Sequence, residues 1–182
     1  VSELLLADEA CRFRERRTSP EVLIGGLGLG YSLRRVLELV GRGARVHVAE
    51  LLPEVVDWNR EFLRDLNGAL LDDPRVSVFT GDVWECIART GNACYDAILL
   101  DVDNGPEGLT RKENDRLYDI DGLNAAYAAL RANGVLAVWS AGPDQKFLQR
   151  LRKTGFEVEE IRVRSRGAKG ARHIIWFARR CV

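Results

Sequence analysis

The sequence predicts an α/β fold with a mostly parallel sheet of about seven strands, helices on both faces and a C-terminal antiparallel β-hairpin. Three observations carry this. Short β-rich apolar runs alternate with segments whose apolar residues recur at helical spacing. Four successive runs end in glycine or an acid. The last two runs, 156–165 and 172–180, are separated only by "RGAKGA", a turn so short that it demands antiparallel pairing. Alternation with right-handed crossovers then places a parallel sheet between two helical layers.

Residues 2–17, "SELLLADEACRFRERR", carry Leu4, Leu5, Ala7, Cys11 and Phe13 among charges and predict a moderately amphipathic helix or lead-in. "EVLIGG" (21–26) is a first strand. Leu33, Val36, Leu37 and Val40 follow at helical spacing until Gly41 and Gly43 stop the helix. "ARVHVAE" (44–50) is a second strand, and 52–68 predict one helix opened near Pro53, with Val55, Trp58, Phe62 and Leu66 on its apolar side and Asn67-Gly68 as its stop. A strand from Val76 to Phe79 and a short helix from Val83 to Arg89 complete the third unit. "YDAILLDVD" (95–103) is continuously apolar before its terminal acids, as expected of a central strand covered on both faces. The loop 104–114 leads to a helix bearing Leu123, Ala126, Tyr127 and Leu130 and ended by Asn133-Gly134. The strand 135–140 and a helix opened by Pro143 and closed by Gly155 come next.

A chain of 182 residues suits a single domain over 1–182. Its 46% apolar and 30% charged residues are ordinary for a globular protein. No run approaches the ~18 apolar residues of a membrane span, and no signal-peptide pattern opens the chain, so a cytoplasmic location with no membrane partner is expected. Cys11, Cys86, Cys94 and Cys181 form no metal-binding or redox spacing, which predicts buried, reduced thiols and no metal. His47 and His173 sit inside strand-like runs and are expected to be packed rather than catalytic. From Arg150 onward ten basic residues face three acidic ones, whereas the first 149 residues carry seventeen basic and twenty-four acidic side chains. The basic terminus "RVRSRGAKGAR" would suit nucleic acid, but a solvated strand edge that discourages aggregation is the commoner use of such residues, and nucleic acid is not expected.

Ligands of such sheets bind beyond the carboxyl ends of the strands. Gly26, Gly28 and Gly30 follow the first strand, Glu50 ends the second, Gly81-Asp82 follow the third, and Asp101 and Asp103 end the fourth, while the strand interiors read as free of charge. Glycines permit positive φ and let a ligand approach the backbone, although such a turn also serves tight packing alone. Tyr31 breaks the GxGxxG pattern of pyridine-nucleotide sites. Glu50 suits the two hydroxyls of a ribose, or a helix cap. Asp82 suits an adenine amino group and equally a cap for the helix at Val83. Asp101 and Asp103 suit holding or deprotonating an amine, though "DVDNG" also makes a good turn and Asp103 can serve that alone.

These stretches resemble the class I S-adenosylmethionine-dependent methyltransferases, and within them the spermidine synthase branch. That branch reads "GGGDGG", "LREV", "VEID", "DPRV…GD" and "YDVIIxDxxDPxGPA" before "LY" or "FY". The corresponding stretches here are "GGLGLGYSLRRV", "VAELLPEVV", "DDPRVSVFTGD" and "YDAILLDVDNGPEGLTRKENDRLYD". The likeness spans about 22–140. It implies a Rossmann-like methyltransferase fold, S-adenosylmethionine or its decarboxylated form as donor, and a donor site of Gly26, Gly28, Gly30, Glu50, Asp82, Val83 and Asp101. It further implies Asp101 and Asp103 as catalytic candidates, a small amine as acceptor and a homodimer as one oligomeric option. The chain departs from the branch at Leu29, where the family has a donor-holding Asp, at Asn104-Gly105-Pro106, and at Trp139-Ser140, where the family often has Gln. The family's N-terminal β-domain has no counterpart in these residues. Leu29 tilts the donor choice slightly toward methyl over aminopropyl transfer. A non-catalytic module of the same fold is the alternative, with a nucleic-acid methyltransferase below it and a dinucleotide oxidoreductase last.

Overall fold

A computed structural model describes residues 2–12, 18–102, 115–164 and 172–181. Helix α1 (Ser2–Ala10) precedes β1 (Glu21–Gly25), α2 (Tyr31–Leu39), β2 (Arg45–Glu50), α3 (Pro53–Glu61), α4 (Arg64–Asn67) and β3 (Val76–Thr80). Then come α5 (Val83–Arg89), β4 (Tyr95–Leu100), α6 (Asp115–Tyr118), α7 (Ile120–Ala129), β5 (Leu130–Ser140), α8 (Gln145–Thr154), β6 (Phe156–Arg164) and β7 (Arg172–Arg180). The seven strands form one sheet in the order β3-β2-β1-β4-β5-β7-β6. All neighbours are parallel except β7, which runs antiparallel to both β5 and β6.

Strand period dictates two cores. Side chains alternate faces along a strand, so in β1 Ile24 joins α1 and α2 residues such as Leu6, Leu33 and Val36 on one face, while Leu23 faces the other. In β4, Leu99 points to the first layer, and Ile98 and Leu100 point to the second, where Val83, Leu123, Phe147 and Trp176 pack. All six residues of β4 are buried, as its continuous apolar run predicts. One of them is charged, against the expectation of charge-free interiors: Asp96, at the amino end of β4, accepts from Glu21 N at 2.9 Å and pairs with Arg131.

Four local expectations need correction. Residues 52–68 form two helices, α3 and α4, rather than one. Asn59 takes the inward face with Val56, and Trp58, Phe62 and Leu66 are exposed. Helix α7 ends at Ala129, before Asn133-Gly134, because its last carbonyls are satisfied from outside. Ala93 N donates to Ala128 O, Cys94 N to Ala129 O, and the Arg180 guanidinium to Tyr127 O and Ala128 O. Leu130 is thereby delivered straight to its partner Tyr95 in the sheet. Helix α8 is opened by Asp144, whose carboxylate accepts from Phe147 N at 2.9 Å, rather than by Pro143; Gly155 closes it at φ 103° as expected. Of the cysteines, Cys11 is buried, Cys86 and Cys94 are partly exposed and Cys181 is exposed.

Candidate donor-binding site

Strand order reverses at β1: β2 lies on one side of it and β4 on the other. The carboxyl ends of these strands therefore splay apart and leave a crevice. A cavity of roughly 240 Å³ occupies it, near the lower end of small-ligand pockets. Gly26, Gly28, Glu50, Asp82, Val83 and Asp101 all line it, together with Gly81, the aliphatic Leu51, Leu52, Val55 and Val102, and Ala49. The sequence-predicted residues thus converge on one cavity, Gly30 and Asp103 excepted. Gly30 lies behind the turn as the residue before α2, and Asp103 lies outside the described residues.

The turn after β1 needs glycine for two different reasons. Gly26 has φ 90°, and a Cβ there would lie 2.4 Å from the carbonyl oxygen of Asp101, so close packing of β1 on β4 leaves no room for a side chain. Gly28 has φ 49°, and a Cβ there would meet no atom within 4 Å. The bare backbone at Gly28 faces open space on the cavity side, where a ligand can approach it.

Glu50 is 8% exposed and fixed by the backbone around it. Its Oε2 accepts from Leu27 N at 2.8 Å and its Oε1 from Leu52 N at 3.0 Å. Each carboxylate oxygen retains acceptor capacity, so the group can receive two ribose hydroxyls while its orientation is already set. Glu50 is not an exposed helix cap: it is buried, it bonds the N–H of Leu52 before α3 rather than an N–H of the helix, and α3 carries no side-chain cap. Asp82 accepts from Trp84 N at 2.9 Å and caps α5, while also lining the cavity. Both uses proposed for Asp82 are therefore compatible with its position, one oxygen serving the cap.

Asp101 sits at the mouth of β4, where Ser32 Oγ donates to its Oδ2 at 3.2 Å. Burial pushes its carboxyl up to about 6, the nearby Glu3 carboxylate adds to the rise, and the Ser32 hydroxyl opposes it. A carboxylate with that affinity for protons can hold an amine's cation or accept its proton near neutrality. Among the described residues, no group of three or more His, Cys, Asp or Glu is placed to hold a metal, and no helix is long and apolar enough to cross a membrane.

Two residues that bear on this site escaped sequence reading. Asn59 and Asn67 hydrogen-bond to the carbonyls of Gly28 and Leu29 from α3 and α4. Asn67-Gly68 looks like a helix stop in sequence, and Gly68 does end α4 in the left-handed conformation. A polar residue at an inward helical position, such as Asn59, was the available signal.

Comparison with known proteins shows a family and a fold. The spermine/spermidine synthase domain model matches residues 13–157. The polyamine aminopropyltransferase of Mycobacterium tuberculosis is 30% identical over 150 residues, covering 78% of this chain and 28% of that protein. The spermidine synthase of Thermotoga maritima superposes with a TM-score of 0.77 at 21% identity, over 98% of this chain and 59% of that one. Human methyltransferase-like protein 13, solved with SAH, superposes at a TM-score of 0.67 and 18% identity over 97% and 78% of the two chains. The two superpositions establish a Rossmann-like class I methyltransferase fold. The chain spans less than a third of the length of its mycobacterial relative and about three fifths of the Thermotoga chain. With the family model covering the strand ends from Gly26 to Asp101, this chain belongs to the spermine/spermidine synthase family.

Proposed function

We propose that this chain is the donor-binding and catalytic domain of an aminopropyltransferase, which binds decarboxylated S-adenosylmethionine and transfers its aminopropyl group to a small amine. The observation that carries the reading is Glu50. A buried carboxylate, oriented by two backbone N–H groups at the carboxyl end of β2, faces the same cavity as the exposed backbone of Gly28 and the acid of Asp82. That set matches a nucleoside: hydroxyls at Glu50, a purine edge at Asp82 and Val83, and backbone contact at the glycine turn. The relatives' activity favours aminopropyl over methyl transfer; the slight tilt that Leu29 gives toward a methyl donor has only fold neighbours behind it.

In this reading the acceptor nitrogen attacks the aminopropyl carbon attached to the sulfonium. The C–N bond forms as the C–S bond breaks, methylthioadenosine leaves, and the nitrogen loses a proton. Asp101, with Asp103, takes the roles of holding the cationic amine and receiving that proton. The protein's contribution is alignment and exclusion of competing water rather than covalent chemistry.

Calorimetric titration with S-adenosylmethionine, its decarboxylated form and methylthioadenosine, followed by product analysis with putrescine and other amines, tests this. Tighter binding of the decarboxylated donor and aminopropylated product are expected. Binding without product from any amine would favour the non-catalytic module, and no binding at millimolar ligand would overturn the donor site itself.

A further inference from the structure

Two buried asparagines grip the glycine turn from behind the cavity. Asn59 is 6% exposed, and its Nδ2 donates to Gly28 O at 2.8 Å and to Val55 O, one turn earlier on its own helix, at 2.9 Å. Asn67 is 5% exposed, and its Nδ2 donates to Leu29 O. A Cβ on Gly30 would lie 3.1 Å from Asn59 Oδ1 and 3.1 Å from Asn67 Nδ2, so both amides press on the same turn.

This convergence coincides with the division of residues 52–68 into two helices. Gly28 and Leu29 are consecutive, with Cα atoms about 3.8 Å apart. On an uninterrupted helix, residues eight apart are separated by about 12 Å along the axis, so two short amide side chains would have to stretch toward one another to reach adjacent carbonyls. The break between Glu61 and Arg64 turns the chain so that α4 brings Asn67 to the same turn as Asn59. Trp58, Phe62 and Leu66 remain exposed on these helices and the turn between them.

Neither asparagine lines the cavity. Their effect on a ligand must pass through the backbone they hold. A turn with three positive-φ glycines at 26, 28 and 30 has many conformations open to it when free, and fixing it before the ligand arrives removes an ordering cost from binding.

We propose that Asn59 and Asn67 are positioning residues that pre-form the nucleoside-binding turn and thereby set donor affinity without touching the donor. This rests on the donor site described under Proposed function. The test titrates methylthioadenosine into the wild-type protein and into Asn59→Ala and Asn67→Ala by calorimetry, and follows amide hydrogen exchange in residues 26–31, with β4 as internal reference. The near-isosteric variants Asn59→Leu and Asn67→Leu, which keep the side-chain shape and remove the donors without adding a charge, carry the same comparison if an alanine variant fails to fold.

Each variant is expected to bind about 5- to 20-fold more weakly and to exchange faster in residues 26–31, with β4 unchanged. The double variant should lose little more than the worse single one, since both side chains serve one turn. Folded variants that bind within twofold of wild type, or that lose protection equally in β4, would overturn the inference and leave the asparagines as fold supports. A wild-type protein that binds no sulfur nucleoside would instead overturn the donor-site reading, and the inference with it.

Discussion

Ser32 Oγ donates to Asp101 Oδ2 at 3.2 Å, so the helix that follows the glycine turn and the acid that ends β4 meet at the mouth of the cavity. The contact opposes the burial that raises the Asp101 carboxyl to about 6. Removing it in Ser32→Ala should raise that value further. If Asp101 must be ionised for turnover, the acid limb of the kcat/KM profile lies near pH 6 in the wild type and shifts upward in Ser32→Ala. An identical limb in Asp101→Asn would show that another group titrates.

The same carboxyl makes folding depend on pH in an unusual direction. The folded state binds its proton more tightly than the unfolded chain does between the ordinary aspartate value of 3.8 and about 6. Its contribution to stability is therefore full below pH 3.8, falls as pH rises through that window, and stays low above it. At about 1.4 kcal/mol per pKa unit the penalty is on the order of 1–3 kcal/mol. Asp101→Asn should unfold at a higher temperature than wild type at pH 7.5 while losing activity, and the two melting temperatures should converge toward pH 4.

Glu50→Gln places an amide where two backbone N–H groups converge, so at least one of the bonds from Leu27 and Leu52 is lost. Affinity for methylthioadenosine should drop at least tenfold, about 1.4 kcal/mol, as expected for loss of a charged acceptor. Calorimetry on the folded variant checks this, and unchanged affinity would remove Glu50 from ribose recognition.

Asp82 invites a variant that separates its two roles. Asp82→Ser keeps an N-cap acceptor for Trp84 N, so stability should change by only a few tenths of a kcal/mol, whereas Asp82→Ala should cost about 1 kcal/mol. If the second oxygen recognises an adenine amino group, both variants lose the preference for methylthioadenosine over its 6-oxo analogue. Denaturant titration and paired calorimetry distinguish the effects.

Gly26→Ala and Gly28→Ala should fail differently. At Gly26 the new methyl would collide with the Asp101 carbonyl, and the melting temperature should fall sharply. At Gly28 it meets open space, so the fold pays only the left-handed conformation, about 1–2 kcal/mol. Donor binding should nonetheless disappear in folded Gly28→Ala protein. Retained binding would mean that the ligand does not approach this backbone.

What the sequence revealed followed from where the residues fall in strand period and at strand ends. Glu50, Asp82 and Asp101 are legible because a parallel sheet gathers its strand ends into one crevice, and any acid placed there is drawn toward the others. Asn59 and Asn67 are not, since their significance depends on a helix break. Trp58, Phe62 and Leu66 read as a buried stripe at helical spacing, but that periodicity cannot say which face a sheet has already filled with Val56 and Asn59. The end of α7 was likewise hidden, because Arg180, some fifty residues away in sequence, satisfies its carbonyls. Asp103 lies outside the described residues and stays a candidate from sequence alone.

The contact between Gly26 and the Asp101 carbonyl welds the floor of the cavity to the mouth of β4. Neither can be reshaped without disturbing the other, which makes this part of the site a poor target for engineering and a poor place for natural variation. Freedom lies instead on the outer lip, where Leu51 and Leu52 line the cavity and are each 42% exposed. A library restricted to those two leucines would explore new donors on an unchanged chassis.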